Sequence, residues 1–350
     1  MNLKNCKPDS PPFPYSDRGV SEKVMISYHI KVKIPFYKEG KMKLRHIIEA
    51  QQFEREWLEK KFFPLAKEME EVAMSGGSHS ILVGKRMITF FYEPSTRTRC
   101  SFEMAMDMLG GRVVFSTENA REFSSAAKGE TIEDTMRVVS GYYPDVIVLR
   151  SDEEGMAARA AEVSSAPIIN AGDGKGQHPT QALLDLYTIW KEIGKISGIS
   201  IAMAGDLLNG RTVRSLSYLI GKFPDVKIYF VSPGSVRMRD DIKDYLRRHG
   251  VWFIEERDLR NVVDKVDVVY QTRIQKERGT VLTEQENSAF TIYKETLELM
   301  KSDTIVMHPL PRVGEILPEV DKDHRAAYFR QAQNGLFVRM ALLAMILGNE

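Results

Sequence analysis

The stretch "MITFFYEPSTRTRCSFEMAMDMLGG", residues 87 to 111, contains the two patterns that decide the fold. Its first six residues, 87–92, form an apolar run with β-branched and aromatic side chains, which predicts a buried strand. Ser95 or Thr96 then supplies a helix cap. The apolar residues that follow at helical spacing are Phe102, Met106 and Leu109. The stretch is therefore predicted to be a strand followed by a helix.

The same alternation of strand and helix patterns continues along the chain from about His46. Short β-rich runs separated by helix patterns indicate parallel sheets built from βα units. The predicted strands are residues 87–92, 112–116, 145–150, 166–170, 199–205, 226–232, 266–272 and 303–308. A helical stretch at 181–194 separates the first four from the last four. The predicted fold is therefore α/β, with two doubly wound parallel-sheet domains joined by helices.

The chain divides into four predicted segments. These are an N-terminal extension at 1–43, a first domain at 44–184, a second domain at 185–335, and a C-terminal helix at 336–350 that packs back on the first domain. The extension contains one predicted edge strand, because apolar and polar residues alternate at 27–34. Its single arginine, Arg18, and its acidic residues do not fit a transit peptide.

Charge and cysteine content exclude several classes of function. The formal net charge is +1, from 49 basic and 48 acidic residues, which predicts neither nucleic acid nor membrane as a partner. No apolar run approaches the roughly 20 residues of a membrane-spanning helix. The two cysteines, Cys6 and Cys100, are too few for a disulfide framework and form no metal-ligand pattern. We therefore predict a cytoplasmic protein with no metal and no cofactor.

A concentration of hydrogen-bond donors lies directly after the first predicted strand. Ser95 to Thr98 occupy a predicted helix N-terminus, where free N–H groups and the helix dipole favour an anion. Arg97 and Arg99 add two positive charges there, which is unfavourable unless an anion is bound. The alternative is a well-capped helix with solvated arginines. We favour a phosphate site, and the absence of G-x-x-x-x-G-K-[ST] excludes a Walker loop.

Other strand ends carry similar chemistry. His178 and Gln181 follow the strand at 166–170, and could bind a carbonyl oxygen and an adjacent amino group. The remaining polar side chains near strand ends are Arg150, Arg211, Arg273 and Gln275, and "HPLPRVGEI" follows the last strand. Because ligands of open parallel sheets bind beyond the carboxyl ends of the strands, this set predicts a substrate with a phosphate and carboxylates.

Five motifs carry a resemblance to a known family: "FYEPSTRTR", "HPTQALLDL", "GRTVRSL", "TRIQKER" and "HPLPR". In order and spacing they resemble aspartate carbamoyltransferase catalytic chains, of the aspartate/ornithine carbamoyltransferase family, from about His46 to Asn349. The ornithine branch resembles the chain less, since it carries a cysteine after the histidine of "HPLPR". The resemblance implies transfer of a carbamoyl group from carbamoyl phosphate to L-aspartate in pyrimidine biosynthesis. A carbamoyltransferase for another amine such as ornithine, or a non-catalytic paralogue, is the alternative.

The resemblance also implies a role for each motif residue. In such enzymes the first half binds carbamoyl phosphate and the second half binds the amino acid. The implied carbamoyl phosphate ligands are Ser95, Thr96, Arg97, Thr98, Arg150, His178 and Gln181, with the backbone carbonyls of Leu310 and Pro311. The implied aspartate ligands are Arg211, Arg273, Gln275 and Lys128. The implied catalytic residues are Arg97, Thr98, Arg150, His178 and Lys128.

Two further implications concern assembly and domain closure. Ser124 and Lys128 resemble a loop that such enzymes insert into the site of a neighbouring subunit, which implies a homotrimer with shared active sites. The residues implied to link the domains on closure are Glu93, Arg211, Glu277 and Arg278. Gly314 departs from the family pattern, which commonly has aspartate there. The binding of regulatory chains is left open by the sequence.

Overall fold

The computed structural model describes residues 44–78, 80–275 and 282–348. Its helices are α1 (Arg55–Trp57), α2 (Phe63–Met74), α3 (Thr96–Met108), α4 (Ala120–Phe123), α5 (Ile132–Ser140), α6 (Met156–Val163), α7 (Pro179–Ile193), α8 (Arg211–Ile220), α9 (Asp240–Arg248), α10 (Glu284–Ser288), α11 (Lys294–Leu299) and α12 (Tyr328–Leu347). Its strands are β1 (Arg86–Phe91), β2 (Arg112–Glu118), β3 (Val146–Ser151), β4 (Ile168–Asp173), β5 (Ser200–Ala204), β6 (Lys227–Val231), β7 (Trp252–Glu256), β8 (Val268–Gln271) and β9 (Ile305–Met307).

The first sheet has the strand order β2-β1-β3-β4, with parallel pairing throughout. Its register pairs Phe91, at the end of β1, with Glu118 of β2 and Arg150 of β3. The loop after β1 therefore begins beside the carboxyl ends of both neighbouring strands. β3 and β4 are buried along their whole length, as expected for strands covered by helices on both faces.

The second sheet has the order β7-β6-β5-β8-β9, again all parallel. The prediction of four strands in this half is wrong, because β7 was missed. β7 is an edge strand that leaves Trp252 and Ile254 46% and 38% exposed, so it shows no continuous apolar run. The eight predicted strands correspond to β1 to β6, β8 and β9, and the predicted α/β fold with two parallel sheets is confirmed.

Helices α7 and α12 join the two halves. α7 is buried from Pro179 to Ile189 and packs against β4 and α8. α12 packs against α2, α3 and α7. The strand predicted at 27–34 lies outside the described residues. Within the described part of the chain, no helix combines the length and the apolar character needed to cross a membrane.

Candidate active site

A cleft of about 510 Å³ lies at the carboxyl ends of strands from both sheets. It gathers most of the side chains predicted from the sequence to form a site. Those that line it are Glu93, Ser95, Thr96, Arg97, Thr98, Arg150, His178, Gln181, Arg211, Arg273, Gln275, Leu310 and Pro311. Residues separated by more than 200 positions in the chain therefore meet in one cavity, as the parallel topology requires.

Four predicted residues are not gathered there. Ser124 and Lys128 lie on an exposed turn after α4 and do not line the cleft of their own chain. The Ser124 hydroxyl is used locally, since it accepts a hydrogen bond from the N–H of Ala126. Glu277 and Arg278 lie outside the described residues.

Three helices direct their N-termini at the cleft. Their N-cap residues are Ser95 for α3, His178 for α7 and Gly210 for α8, and all three line the cavity. None of these caps accepts a backbone N–H of its own first turn with a side chain. The first-turn N–H groups of α3 and α8 and the positive ends of all three dipoles are therefore available to an anionic ligand. At α7, Pro179 has no N–H and the Gln181 N–H donates to the His178 carbonyl oxygen.

The two arginines of the first motif have different environments. Arg99 forms ion pairs with Glu103, at 3.5 Å, and with Glu118, at 3.4 Å, so its charge is balanced within the protein. The sequence argument that both arginines require an anion was therefore wrong for Arg99. Arg97 lines the cleft, and burial lowers its pKa. The buried hydroxyl residue Thr98 lies one position further along the same helical turn.

Glu93 connects the two halves of the cleft through two arginines. Its Oε2 lies 3.2 Å from Arg150 Nη2, on the first sheet, and 2.7 Å from Arg211 Nη2, at the start of α8. Burial, followed by repulsion from Arg211, lowers the pKa of Arg150 to about 9. Gly172 allows this arrangement, because a Cβ there would lie 3.1 Å from Arg211 Cζ and 3.2 Å from Arg150 Nη1.

His178 is held as a neutral imidazole. Complete burial, together with the charges of Arg150 and Arg211, lowers its pKa well below the ordinary value of 6.5. Its backbone N–H donates to Ser215 Oγ at 2.9 Å, which ties the start of α7 to α8. A neutral imidazole near two arginines can donate a hydrogen bond to a carbonyl oxygen without adding positive charge.

The loop after β9 is shaped by a histidine and a glutamate that the sequence analysis missed. Leu310 N–H donates to His308 Nδ1 at 2.7 Å, so the ring proton is on Nε2, which donates to Glu315 Oε1 at 2.7 Å. Glu315 Oε2 accepts the N–H of Val313 at 2.9 Å. Gly314 has a φ of +109°, a conformation that glycine adopts without strain. The pattern His-x-x-x-x-x-x-Glu is too common to have identified this pair.

Arg339 is another residue that sequence reasoning missed. It lies on α12, lines the cleft, and is 3% exposed. Burial lowers its pKa to about 10, and its guanidinium lies 5.1 Å from the ring centroid of Phe102. Gly335 makes room for it, since a Cβ there would lie 2.5 Å from Arg339 Nη1. The available signal was a single arginine inside the apolar run "LFVRMALLAMIL".

Both halves of the chain match known domains. Residues 45–191 match the carbamoyl-P binding domain of aspartate/ornithine carbamoyltransferase, and residues 197–346 match its Asp/Orn binding domain. The chain belongs to the aspartate/ornithine carbamoyltransferase family. The family predicted from the motifs is therefore confirmed.

Individual relatives agree with this assignment. Chloroplastic aspartate carbamoyltransferase of Arabidopsis thaliana is 59% identical over 310 residues, which cover 88% of this chain and 79% of the relative. Chloroplastic aspartate carbamoyltransferase 1 of Pisum sativum is 56% identical over 317 residues, which cover 89% of this chain and 81% of the relative. Aspartate transcarbamoylase of Trypanosoma cruzi, solved with carbamoyl phosphate and aspartate, superposes with a TM-score of 0.81 at 39% identity, covering 87% of this chain and 96% of that one.

The names of the plant relatives correct one prediction. A cytoplasmic location was predicted, and it is wrong, because the Arabidopsis and Pisum relatives are both named chloroplastic. A low cysteine count and a balanced charge fit a reducing compartment. They do not distinguish one such compartment from another.

Proposed function

We propose that the chain transfers the carbamoyl group of carbamoyl phosphate to the amine of L-aspartate, giving N-carbamoyl-L-aspartate and phosphate for pyrimidine biosynthesis. The observation that carries the proposal is the cleft itself. Arginines from both sheets and the N-termini of three helices converge on one cavity, where Glu93 is the only acidic side chain among the described lining residues. Such a site requires a ligand with several negative charges, as the two substrates together provide.

The carbamoyl phosphate subsite is formed by the first half of the chain. Ser95, Thr96, Arg97 and Thr98 bind the phosphate at the N-terminus of α3, and Arg150 and His178 bind the carbamoyl oxygen. Gln181 and the backbone carbonyls of Leu310 and Pro311 accept hydrogen bonds from the carbamoyl amine. All of these residues line the cleft.

The aspartate subsite is formed mainly by the second half. Arg211, Arg273 and Gln275 line the cleft on that side and bind the two carboxylates. We assign residues 44–184 to the carbamoyl phosphate-binding domain and residues 185–335 to the aspartate-binding domain. The ion pair of Glu93 with Arg211 joins the two domains across the cleft, and its pair with Arg150 lies within the first domain. Glu277 and Arg278 complete this link on closure.

Catalysis follows from the charges around the reacting carbon. The deprotonated amine of aspartate attacks the carbamoyl carbon, and Thr98, Arg150 and neutral His178 stabilise the oxyanion that develops. The bond from carbon to the phosphate oxygen then breaks, and the departing phosphate takes the amine proton. No side chain acts as a nucleophile. Alignment of the two substrates in one closed cleft supplies a further part of the rate enhancement.

The functional unit is a homotrimer in which Lys128 and Ser124 reach the site of a neighbouring subunit. Lys128 is exposed and does not line the cleft of its own chain, which is consistent with a role in another. The same half of the chain carries large exposed apolar side chains, including Phe123 at 70%, Tyr142 at 69% and Tyr143 at 79%. Apolar surface of this kind is typical of subunit interfaces.

The protein acts in plastids, as the names of its plant relatives suggest. An antibody against the chain should detect it in the plastid fraction of the source cells. Recovery in the cytosolic fraction alone would contradict this location. Immunoprecipitation with the same antibody, followed by native mass spectrometry, would test for trimers and for any bound regulatory chain.

The activity is tested with the purified chain after treatment with a chelator. Carbamoyl phosphate is offered with L-aspartate, ornithine or putrescine, and the carbamoylated product and phosphate are measured. Of the three amines, we expect only aspartate to give product, and we expect this without added metal or nucleotide. Turnover with ornithine instead would favour the other branch of the family. Tight binding of carbamoyl phosphate without turnover of any amine would favour a non-catalytic paralogue.

A further inference from the structure

Asp185, on α7, lies directly behind the cleft and is completely buried. Its Oδ1 accepts hydrogen bonds from Gln181 Nε2 at 2.8 Å and from Gln331 Nε2 at 2.6 Å. Its Oδ2 accepts from the hydroxyl of Tyr270, on β8, at 2.7 Å. Both glutamines line the cleft, so this carboxyl group contacts two side chains that face the ligand space.

The chemistry of the carboxyl group fixes the orientation of both amides. Because Oδ1 is an acceptor, Gln181 and Gln331 must present their NH₂ groups to Asp185. Burial raises the pKa of Asp185 to about 7, so both protonation states occur near neutral pH. In the protonated form Oδ2 carries the proton and donates it to the Tyr270 hydroxyl, which then accepts instead of donating, because two donors already occupy Oδ1. The amides are therefore oriented in the same way in either state.

With their NH₂ groups on Asp185, the two glutamines have their carbonyl oxygens left to accept other hydrogen bonds. Gln181 turns its carbonyl oxygen away from Asp185, so that the cleft receives an acceptor. Gln331 Oε1 accepts the backbone N–H of His308 at 2.8 Å, at the start of the loop that leads to Leu310 and Pro311. Through Gln331, the carboxyl group also holds the loop that carries the two carbonyl acceptors of the proposed subsite.

We propose that Asp185 is a positioning residue that makes the carbamoyl subsite a set of acceptors, and so selects an acyl phosphate that bears an NH₂ group over one that bears a methyl group. This inference rests on the proposed function. A site built to accept hydrogen bonds from a ligand NH₂ group rejects an analogue that lacks it, since the buried acceptors are left unpaired. Without Asp185, the Gln181 amide rotates about its last bond at little cost and can present either end.

The test compares two substitutions of Asp185 by equilibrium binding of carbamoyl phosphate and of acetyl phosphate. Asp185→Asn keeps an oxygen that accepts from both glutamines, with its NH₂ group toward Tyr270. We expect its preference for carbamoyl phosphate to stay within about threefold of wild type. Asp185→Leu removes the acceptor, and we expect the preference to fall roughly tenfold, the value of one lost neutral hydrogen bond of about 1.4 kcal/mol. Glu192→Gln, at the surface end of α7, is the matched control and should leave the preference unchanged.

The outcomes separate this inference from the proposed function. If wild type binds neither ligand, the proposed function fails. If wild type prefers carbamoyl phosphate and folded Asp185→Leu keeps that preference, only the role of Asp185 is overturned. Loss of the preference in Asp185→Asn would overturn it as well, because charge and not acceptor geometry would then matter.

A measurement on the wild-type protein covers the case in which Asp185→Leu does not fold. In protein labelled with ¹⁵N-glutamine, the Gln181 side-chain amide is assigned by its absence in Gln181→Leu. Because the NH₂ group of Gln181 is hydrogen-bonded to a buried carboxyl group, we expect its hydrogens to exchange slowly with solvent both with and without carbamoyl phosphate. Fast exchange in the carbamoyl phosphate complex would mean that the amide is not held by Asp185, and would overturn the inference.

Discussion

At the residue scale, the cleft is governed by an excess of positive charge. The arginines that line it are Arg97, Arg150, Arg211, Arg273 and Arg339. Burial lowers the pKa values of Arg97, Arg150 and Arg339, which means that the protein environment alone disfavours their charged forms. A bound anion reverses that effect. We therefore expect the pKa values of these arginines to rise when an anionic substrate binds.

Substitution of single arginines tests whether the first half binds carbamoyl phosphate and the second half binds aspartate. We expect Arg97→Ala to abolish binding of carbamoyl phosphate, because it removes a forked donor at the N-terminus of α3. Arg273→Ala should leave that binding largely intact and eliminate the use of aspartate. Calorimetry with carbamoyl phosphate alone distinguishes the two variants. Arg247→Ala, an exposed residue of α9 that pairs with Asp244, is the control. Equal loss of binding in Arg97→Ala and Arg273→Ala would contradict the division.

The buried carboxyl group of Asp185 predicts a dependence of stability on pH. Its pKa is raised by burial from 3.8 to about 7, so the folded protein keeps a proton that the unfolded chain releases above about pH 4. The stability that this group contributes is complete below about pH 4, falls by up to about 1.4 kcal/mol per pH unit as the pH rises from 4 to about 7, and does not change further above that. Asp185→Asn carries no such proton.

Chemical denaturation of wild type and Asp185→Asn at pH 4.5, 6 and 7.5 would measure this effect. The free energy of unfolding of the variant, relative to wild type, should increase steadily across the series. Other titrating groups are common to both proteins and cancel in the difference. A constant difference across the three pH values would show that Asp185 titrates at its ordinary pKa.

At the scale of elements, helix ends and a single long helix form the site. The N-termini of α3, α7 and α8 supply backbone N–H groups, which a change of side chain does not remove. α12, the last helix of the chain, supplies Gln331 and Arg339 to the cleft and packs against α3 and α7. A helix beyond the last strand thus completes a cleft that the two sheets alone leave open.

The contribution of α12 is tested by Arg339→Met, which keeps an unbranched apolar stem and removes the charge. We expect affinity for carbamoyl phosphate to fall about tenfold or more, the usual effect of losing a charged donor. The melting temperature of the free protein should stay the same or rise, because a buried charge whose Nε has no hydrogen-bond partner is removed.

Arg330→Met is the matched control on the same helix. Arg330 pairs with Glu192 at the surface, outside the cleft lining, and its loss should leave affinity unchanged. If Arg339→Met lowers the melting temperature and leaves carbamoyl phosphate affinity unchanged, Arg339 is a structural residue of α12 and not part of the binding site.

At the scale of the whole molecule, the site of one chain lacks Lys128. In a head-to-tail trimer each site would combine Arg97, Arg150 and His178 of one chain with Lys128 of the next. Lys128→Ala and His178→Ala trimers should then each be nearly inactive. After the two are dissociated, mixed and reassociated, a hybrid trimer has one interface with both defects, one with a single defect and one with none.

We expect activity to return in the hybrids and to approach a third of the wild-type value per trimer, because one site in three is intact. Native mass spectrometry verifies that hybrids have formed. Mixing wild type with itself through the same cycle controls for losses on reassociation. Hybrids as inactive as their parents would mean that Lys128 serves its own chain.

Local patterns in the sequence were sufficient for the fold class, the family and the motif residues of the cleft. Strands such as β3 are recognisable because burial on both faces makes them continuously apolar, and the polar residues at their ends must meet because the strands are parallel. β7 was not predicted, because it is not buried on both faces. An edge strand exposed to solvent carries no such run.

Only the tertiary structure decided which polar residues serve the cleft and which serve the surface. Arg97 and Arg99 stand two positions apart in one motif, yet the first lines the cleft and the second pairs with Glu103 and Glu118. Asp185 and Glu315 have no distinctive local pattern, and the isolated position of Arg339 in an apolar run does not indicate what it contacts. Apart from Gln181, which lies on the same helix as Asp185, their partners lie on other elements or across a loop. The contact between Asp185 and Gln331 spans 146 positions, and it exists only once both sheets and α12 have packed.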